Sequence, residues 1–220
     1  MNLLLRYYSL KRLQLFIGIV LANLIIIWLS KAVLINEIVF FNTFSEQFTY
    51  DRSLKLFEDM RRFAWIGYVF IPIMLLIKFS LVSLVLYIGI VFCNIQDKVS
   101  LGSVFKIVIA GEIIFVSANL IKFLWFCLFA GNYDLNDLGF FYPLSLINFF
   151  KTVEVNRLWI FPLQTVNIFQ IIYIISISYG LNKVCKIEKS YSDKIVLLSY
   201  LPALVLWVAF IMFLTIDASL

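Results

Sequence analysis

Seven polar side chains stand inside apolar stretches of this chain and need a reason: Lys78, Glu112, Asn119 and Lys122, then Gln164, Asn167 and Gln170. An ammonium group and a carboxylate in hydrocarbon can form an ion pair that fixes helix packing, or they can line a path for a polar solute or ion. Glu112, Phe115 and Asn119 are three and four residues apart and share one helical face, while Lys122 lies about 80° further round. Glu112 is about nine residues into its apolar run, roughly 13 Å at the helical rise, so it cannot easily reach water. A charge at that depth costs at least about 2.5 kcal/mol, which drives such residues to face neighbouring helices and pair. The segment IPIMLLIKFSLVSLVL supplies a partner in Lys78. Counted inward from the short loop at 94–103, Lys78 falls between the depths of Glu112 and Asn119 on the antiparallel segment. The expectation is a Lys78–Glu112 pair with Asn119 as a second hydrogen-bonding group. Lys106, near the end of its run, snorkels to the head groups and needs no partner.

Gln164, Asn167 and Gln170 recur every third residue and read as a polar face of the fourth apolar stretch. Interhelical hydrogen bonds are the ordinary use of such a face and a solute-lining wall is the sharper one. Catalytic signatures do not arise: there is no Gly-x-Ser-x-Gly, no Gly-rich phosphate loop, no His-Glu-x-x-His and no intramembrane aspartate pair. Asp134 and Asp137 in YDLND resemble a dyad, but beside Asn and Gly they read as turn formers. Cys93, Cys127 and Cys185 are scattered singly and there is no histidine, which argues against zinc, haem and Cys-His chemistry. Neither an enzyme nor a cofactor is expected.

The elements that must position these residues are membrane helices. With 63% hydrophobic and only 14% charged residues, the composition is far from the soluble balance. A mean hydropathy of +1.00 agrees. Five apolar stretches are long enough to span, at about 13–35, 64–93, 104–130, 160–182 and 195–216. The expected fold is an all-α polytopic transmembrane helix bundle of five spans, one membrane domain over residues 1–220. Its first span follows LRYYSLKR directly and reads as a retained signal-anchor.

Nine Lys and Arg fall on the side of the N-terminus, including Arg6 and the short loops with Lys98 and Lys183, against seven on the other, where eight acids, Glu46 among them, accompany them. This predicts the N-terminus in the cytoplasm and the C-terminus outside. The net charge of +5 is explained by lipid head groups and topology, not by nucleic acid. Leu56, Phe57, Met60, Phe63 and Ala64 recur at helical spacing, with opposite charges four apart at Asp51/Lys55, Lys55/Asp59 and Glu58/Arg62. An amphipathic outer helix running into the second span is expected there. The aromatic-rich NYDLNDLGFFYPLSLINFFKTVEVNRLW predicts a dipping interfacial or re-entrant segment. FIPIM and IFPLQ, 90 residues apart, with FKIV and DKIV, 88 apart, would make two hairpins a parallel repeat.

The C-terminal third resembles the bacterial branch of the Yip family, five-span membrane proteins related to the Ypt-interacting proteins of eukaryotic secretory membranes. The resemblance rests on an apolar span ending in YGL, a short basic loop, and SYSDKIVLLSYLPALVLW opening the last span. It implies a non-catalytic membrane scaffold or partner subunit in a bacterial cytoplasmic membrane, in contact with lipid and with other membrane proteins or a second copy. GTPase binding is not implied, because the long cytoplasmic N-terminal region and the DLYGP sequence of eukaryotic relatives have no counterpart here. The alternative is a transporter or permease component with a polar path lined by spans two to four.

Overall fold

The computed structural model describes residues 8, 10–44 and 47–217; Arg6 and Glu46, which entered the charge count, lie outside them. The described chain is helical throughout, apart from its connections. Helix α1 (Arg12–Leu34) leads into α2 (Glu37–Phe44), α3 (Tyr50–Arg62) and α4 (Ala64–Phe92). A tight connection then reaches α5 (Leu101–Gly111) and α6 (Ile113–Leu128), which form one long stretch bent at Glu112. After α7 (Leu135–Phe140) come α8 (Arg157–Thr165), α9 (Ile168–Val184), α10 (Lys189–Ile195) and α11 (Leu201–Asp217).

Among the described residues, four helical stretches are long and apolar enough to cross a membrane: Arg12–Leu34, Ala64–Phe92, Leu101–Leu128 and Lys189–Ile216. The stretch expected at 160–182 differs. It is divided into α8, nine residues, and α9, seventeen. At the helical rise α9 is about 25 Å long, short of the roughly 30 Å of a hydrocarbon core.

The Leu101–Leu128 stretch is the centre of the bundle. Its hydrophobic window is 50% buried, against 17% for that of α4. It packs against α1, α4 and α9, and the surface these helices leave open is largely apolar. Phe79, Leu86, Val104, Ile107, Tyr173, Ile177 and Leu181 close the core completely. Close helix approach depends on small residues. A Cβ built on Gly111 would stand 2.8 Å from Cε2 of the fully buried Tyr173, so α5 and α9 touch because that side chain is missing.

Between α10 and α11 the turn Val196–Tyr200 widens to π geometry. Pro202 explains it: its ring lacks an N–H and crowds the carbonyl four residues back, at Leu198, so a wider preceding turn relieves the clash. Pro72, by contrast, lies within an unbroken α4, whereas Pro162 sits in the short α8. The two prolines of the suspected repeat therefore occupy unlike local structures.

The expected amphipathic helix is α3, buried through Ser53 and Phe57 and separated from α4 by a break at Phe63. The three charge pairs along it make no salt bridge among the described residues; Arg52, Arg61 and Arg62 lie instead over the rings of Phe48, Phe57 and Phe63. Exposed ions gain little from pairing, so aromatic faces compete well for them. Helix α2 had no clear signal in the sequence. It packs on α3 and α7, and Thr43 Oγ1 accepts from Leu135 N at 3.0 Å, so the three form a cap over one end of the bundle.

Candidate functional site: a polar seam through the bundle

Lys78 on α4 reaches the bend between α5 and α6 and donates to both carboxylate oxygens of Glu112, at 2.8 and 2.9 Å. The ammonium also lies 4.5 Å from the centroid of the Phe115 ring, a cation-π contact on the same side. Burial is unequal. The Glu112 side chain is 4% exposed and that of Lys78 42%, so the carboxylate belongs to the interior and the lysine enters from the rim. A buried carboxylate is tolerated when a cation fills its lone pairs, and here a single cation takes both oxygens.

Asn119 and Lys122 do not join this pair. Asn119 is half-buried, and its side chain makes no hydrogen bond among the described residues. Lys122 turns toward the cap and donates to the carbonyl of Leu138, near the C-terminal end of α7, at 2.6 Å. A cation there meets carbonyl groups that have no helical partner. Helical spacing puts Lys122 round the helix from Glu112, and α7 comes within its reach only through the fold of a connecting segment.

Gln164, Asn167 and Gln170 do not form a face of one continuous helix. The helix stops at Val166, which is extended, and Asn167 begins a new one as N-cap of α9. Its Oδ1 accepts from Gln170 N at 2.7 Å, while Nδ2 donates to the carbonyls of Gln164 and Thr165 at 2.8 and 3.1 Å. The Gln164 side chain donates to the carbonyls of Gly139 and Phe140, both at 2.7 Å. Gln170 Nε2 donates to the Tyr200 hydroxyl at 2.8 Å, tying α9 to the π turn.

The interruption exposes backbone that must be satisfied within the protein. The segment following α7 folds back and does so: Leu146 N donates to Val166 O at 3.0 Å and Ile168 N to Leu144 O at 3.1 Å, with Ser145 paired antiparallel to Asn167. Ile147 is fully buried against this junction. Tyr142, in the same returning segment, is pushed up to about 12, by burial first and by the Glu112 carboxylate second. The segment expected to dip into the interface or to re-enter thus braces a broken helix.

Two contacts escaped sequence reasoning. Tyr173, fully buried beside Gly111 and Phe115, has a hydroxyl without a hydrogen-bond partner among the described residues. Ser178 on α9 hydrogen-bonds Asp193 on α10. Nothing in a single tyrosine or serine in an apolar run signals either. Asp134 accepts from Asp137 N at 2.8 Å and caps α7, with Asp137 bonding back to Asp134 N at 3.2 Å, which makes the apparent dyad a capping box.

An all-helical bundle with four membrane-length helices and an internally paired polar seam defines the class of the molecule. Compared with known proteins, the chain matches no protein family, no curated protein and no solved structure.

Proposed function

We propose that the chain is a non-catalytic scaffold or partner subunit of a bacterial cytoplasmic membrane, similar to the bacterial Yip branch. In this reading it crosses the bilayer five times, α8 and α9 together supplying the fourth crossing, with the N-terminus in the cytoplasm and the C-terminus outside. The observation that carries it is how the seam is used. Lys78 fills both oxygens of Glu112, and Gln164, Asn167 and Gln170 are bonded to backbone or to Tyr200. Groups committed to one another hold helices in register and leave little to receive a solute. The open apolar faces of α4 and α11 then suit another membrane protein or a second copy.

Affinity purification from membranes in a mild detergent tests this. A scaffold elutes with one partner, or a second copy, in fixed ratio, and that ratio survives Lys78→Met/Glu112→Leu, which replaces the pair by apolar groups of similar size. A chain that elutes alone as a monomer contradicts the reading.

A second reading, a transporter or permease component, draws on the interrupted helix at Val166–Asn167 and the unpartnered Tyr173 hydroxyl beside the Glu112 bend. Discontinuous helices frame the substrate sites of many transporters. Its test is a single cysteine at Asn119→Cys, with the native cysteines changed to Ser. Labelling by a membrane-impermeant maleimide from one side supports a water-filled path, and protection of the site supports the scaffold.

A further inference from the structure

Beyond the seam, a cavity of about 640 Å³ opens at the capped end of the bundle, between the end of α1, α2, α3 and the start of α4. Lys31, Arg61 and Glu37 share its wall, two cations against one carboxylate. None of the three forms a salt bridge among the described residues. Lys31 Nζ lies 5.0 Å from the centroid of the Tyr68 ring, and the Arg61 guanidinium 5.9 Å from that of Phe57, so both charges are held over aromatic floors instead of being neutralised.

A shallow, open apolar depression adjoins it on the bundle surface and shares two of its residues, Trp28 and Tyr68, with Leu24 and Ile25 beside them. On α1, Leu24, Trp28 and Lys31 are four and three residues apart and fall on one stripe. That stripe runs roughly 10 Å along the axis from an ammonium group, past an indole, to a leucine. Trp and Tyr mark the head-group level of membrane helices, so the polar cavity stands at that level and the groove points into hydrocarbon.

We infer that the cavity and the groove beside it form one binding site for an anionic phospholipid, its phosphate between Lys31 and Arg61 and an acyl chain along Leu24 and Ile25 between α1 and α4. A free anion would use the cavity and ignore the groove. A zwitterionic lipid would use the groove and gain little from the surplus cation. Only an amphiphile with net negative charge uses both. The inference goes beyond the scaffold reading and does not depend on it.

Native mass spectrometry of the delipidated full chain in mild detergent, mixed with phosphatidylglycerol, with phosphatidylcholine of the same acyl chains, or with inorganic phosphate, tests the assignment. Phosphatidylglycerol is expected to be retained preferentially, and inorganic phosphate not to displace it. Arg61→Gln, at an exposed position, is expected to weaken phosphatidylglycerol about fivefold, the value of one cation at a membrane surface. Glu37→Gln should tighten it by removing the opposing charge, and Leu24→Trp should weaken it by filling the groove. Equal retention of phosphatidylcholine, displacement by phosphate alone, or unchanged affinity in both charge variants would overturn the site.

Discussion

Lys78 and Lys31 carry the same ammonium group on α4 and α1, two helices that pack side by side, yet their surroundings assign them opposite roles. Lys78 meets a buried carboxylate and fills both of its oxygens. Lys31 lies over the Tyr68 ring, beside an open cavity that Arg61 also lines, and neither cation forms a salt bridge among the described residues. The difference lies in depth. A charge far from water must find its counter-charge within the protein, whereas a charge near the head groups can wait for one from outside. One region of the molecule therefore uses polarity as internal fastening, and the other leaves it unspent.

Substitutions test how far the two regions differ, and the largest effect belongs to the seam. Lys78→Ala leaves Glu112 without its counter-charge and is expected to cost about 3 kcal/mol in thermal unfolding in mild detergent, at the low end for a broken buried pair because Lys78 is itself partly open. A variant as stable as the parent removes the fastening role. Asn167→Ala loses both the cap of α9 and the bridge across the helix break, and about 2 kcal/mol of stability should go with it. Hydrogen exchange should then rise first around Ile168 and Leu146, where the backbone pairing is anchored.

Tyr173→Phe works in the other direction. Removing a buried hydroxyl that has no partner among the described residues should stabilise by about 1 kcal/mol. A loss of stability instead would mean that the hydroxyl is served by water or a solute, which would favour the transport reading. The smallest effect is expected for Lys31→Ala, under about 0.5 kcal/mol by the same unfolding measurement, since its ammonium makes no ion pair among the described residues. Stability that barely moves while lipid retention falls would separate the two lysines cleanly.

Much of the helical layout was legible, because apolar length and composition are local properties. The Lys78–Glu112 pair was legible as well, since a depth count across a short antiparallel connection requires only the helical rise. The polar residues of 164–170 were harder. An N-cap bonds the backbone three residues on, and a helix face repeats every three to four residues, so Gln164, Asn167 and Gln170 satisfy both patterns and periodicity alone cannot choose. Lys122 failed for a different reason: its partner carbonyl at Leu138 is placed by the fold of a connecting segment.

The amino-acid sequence by itself determined that the chain buries helices in hydrocarbon and that Glu112 would need a cation, because transfer costs follow from residue type and depth. Only the tertiary structure decided that one helix would break at Val166, that the segment after α7 would return to satisfy its backbone, and that Lys31 and Arg61 would face one cavity. Those outcomes depend on which segments meet across long stretches of chain, and hydrogen bonding in a medium without water rewards whichever meeting leaves no backbone group alone.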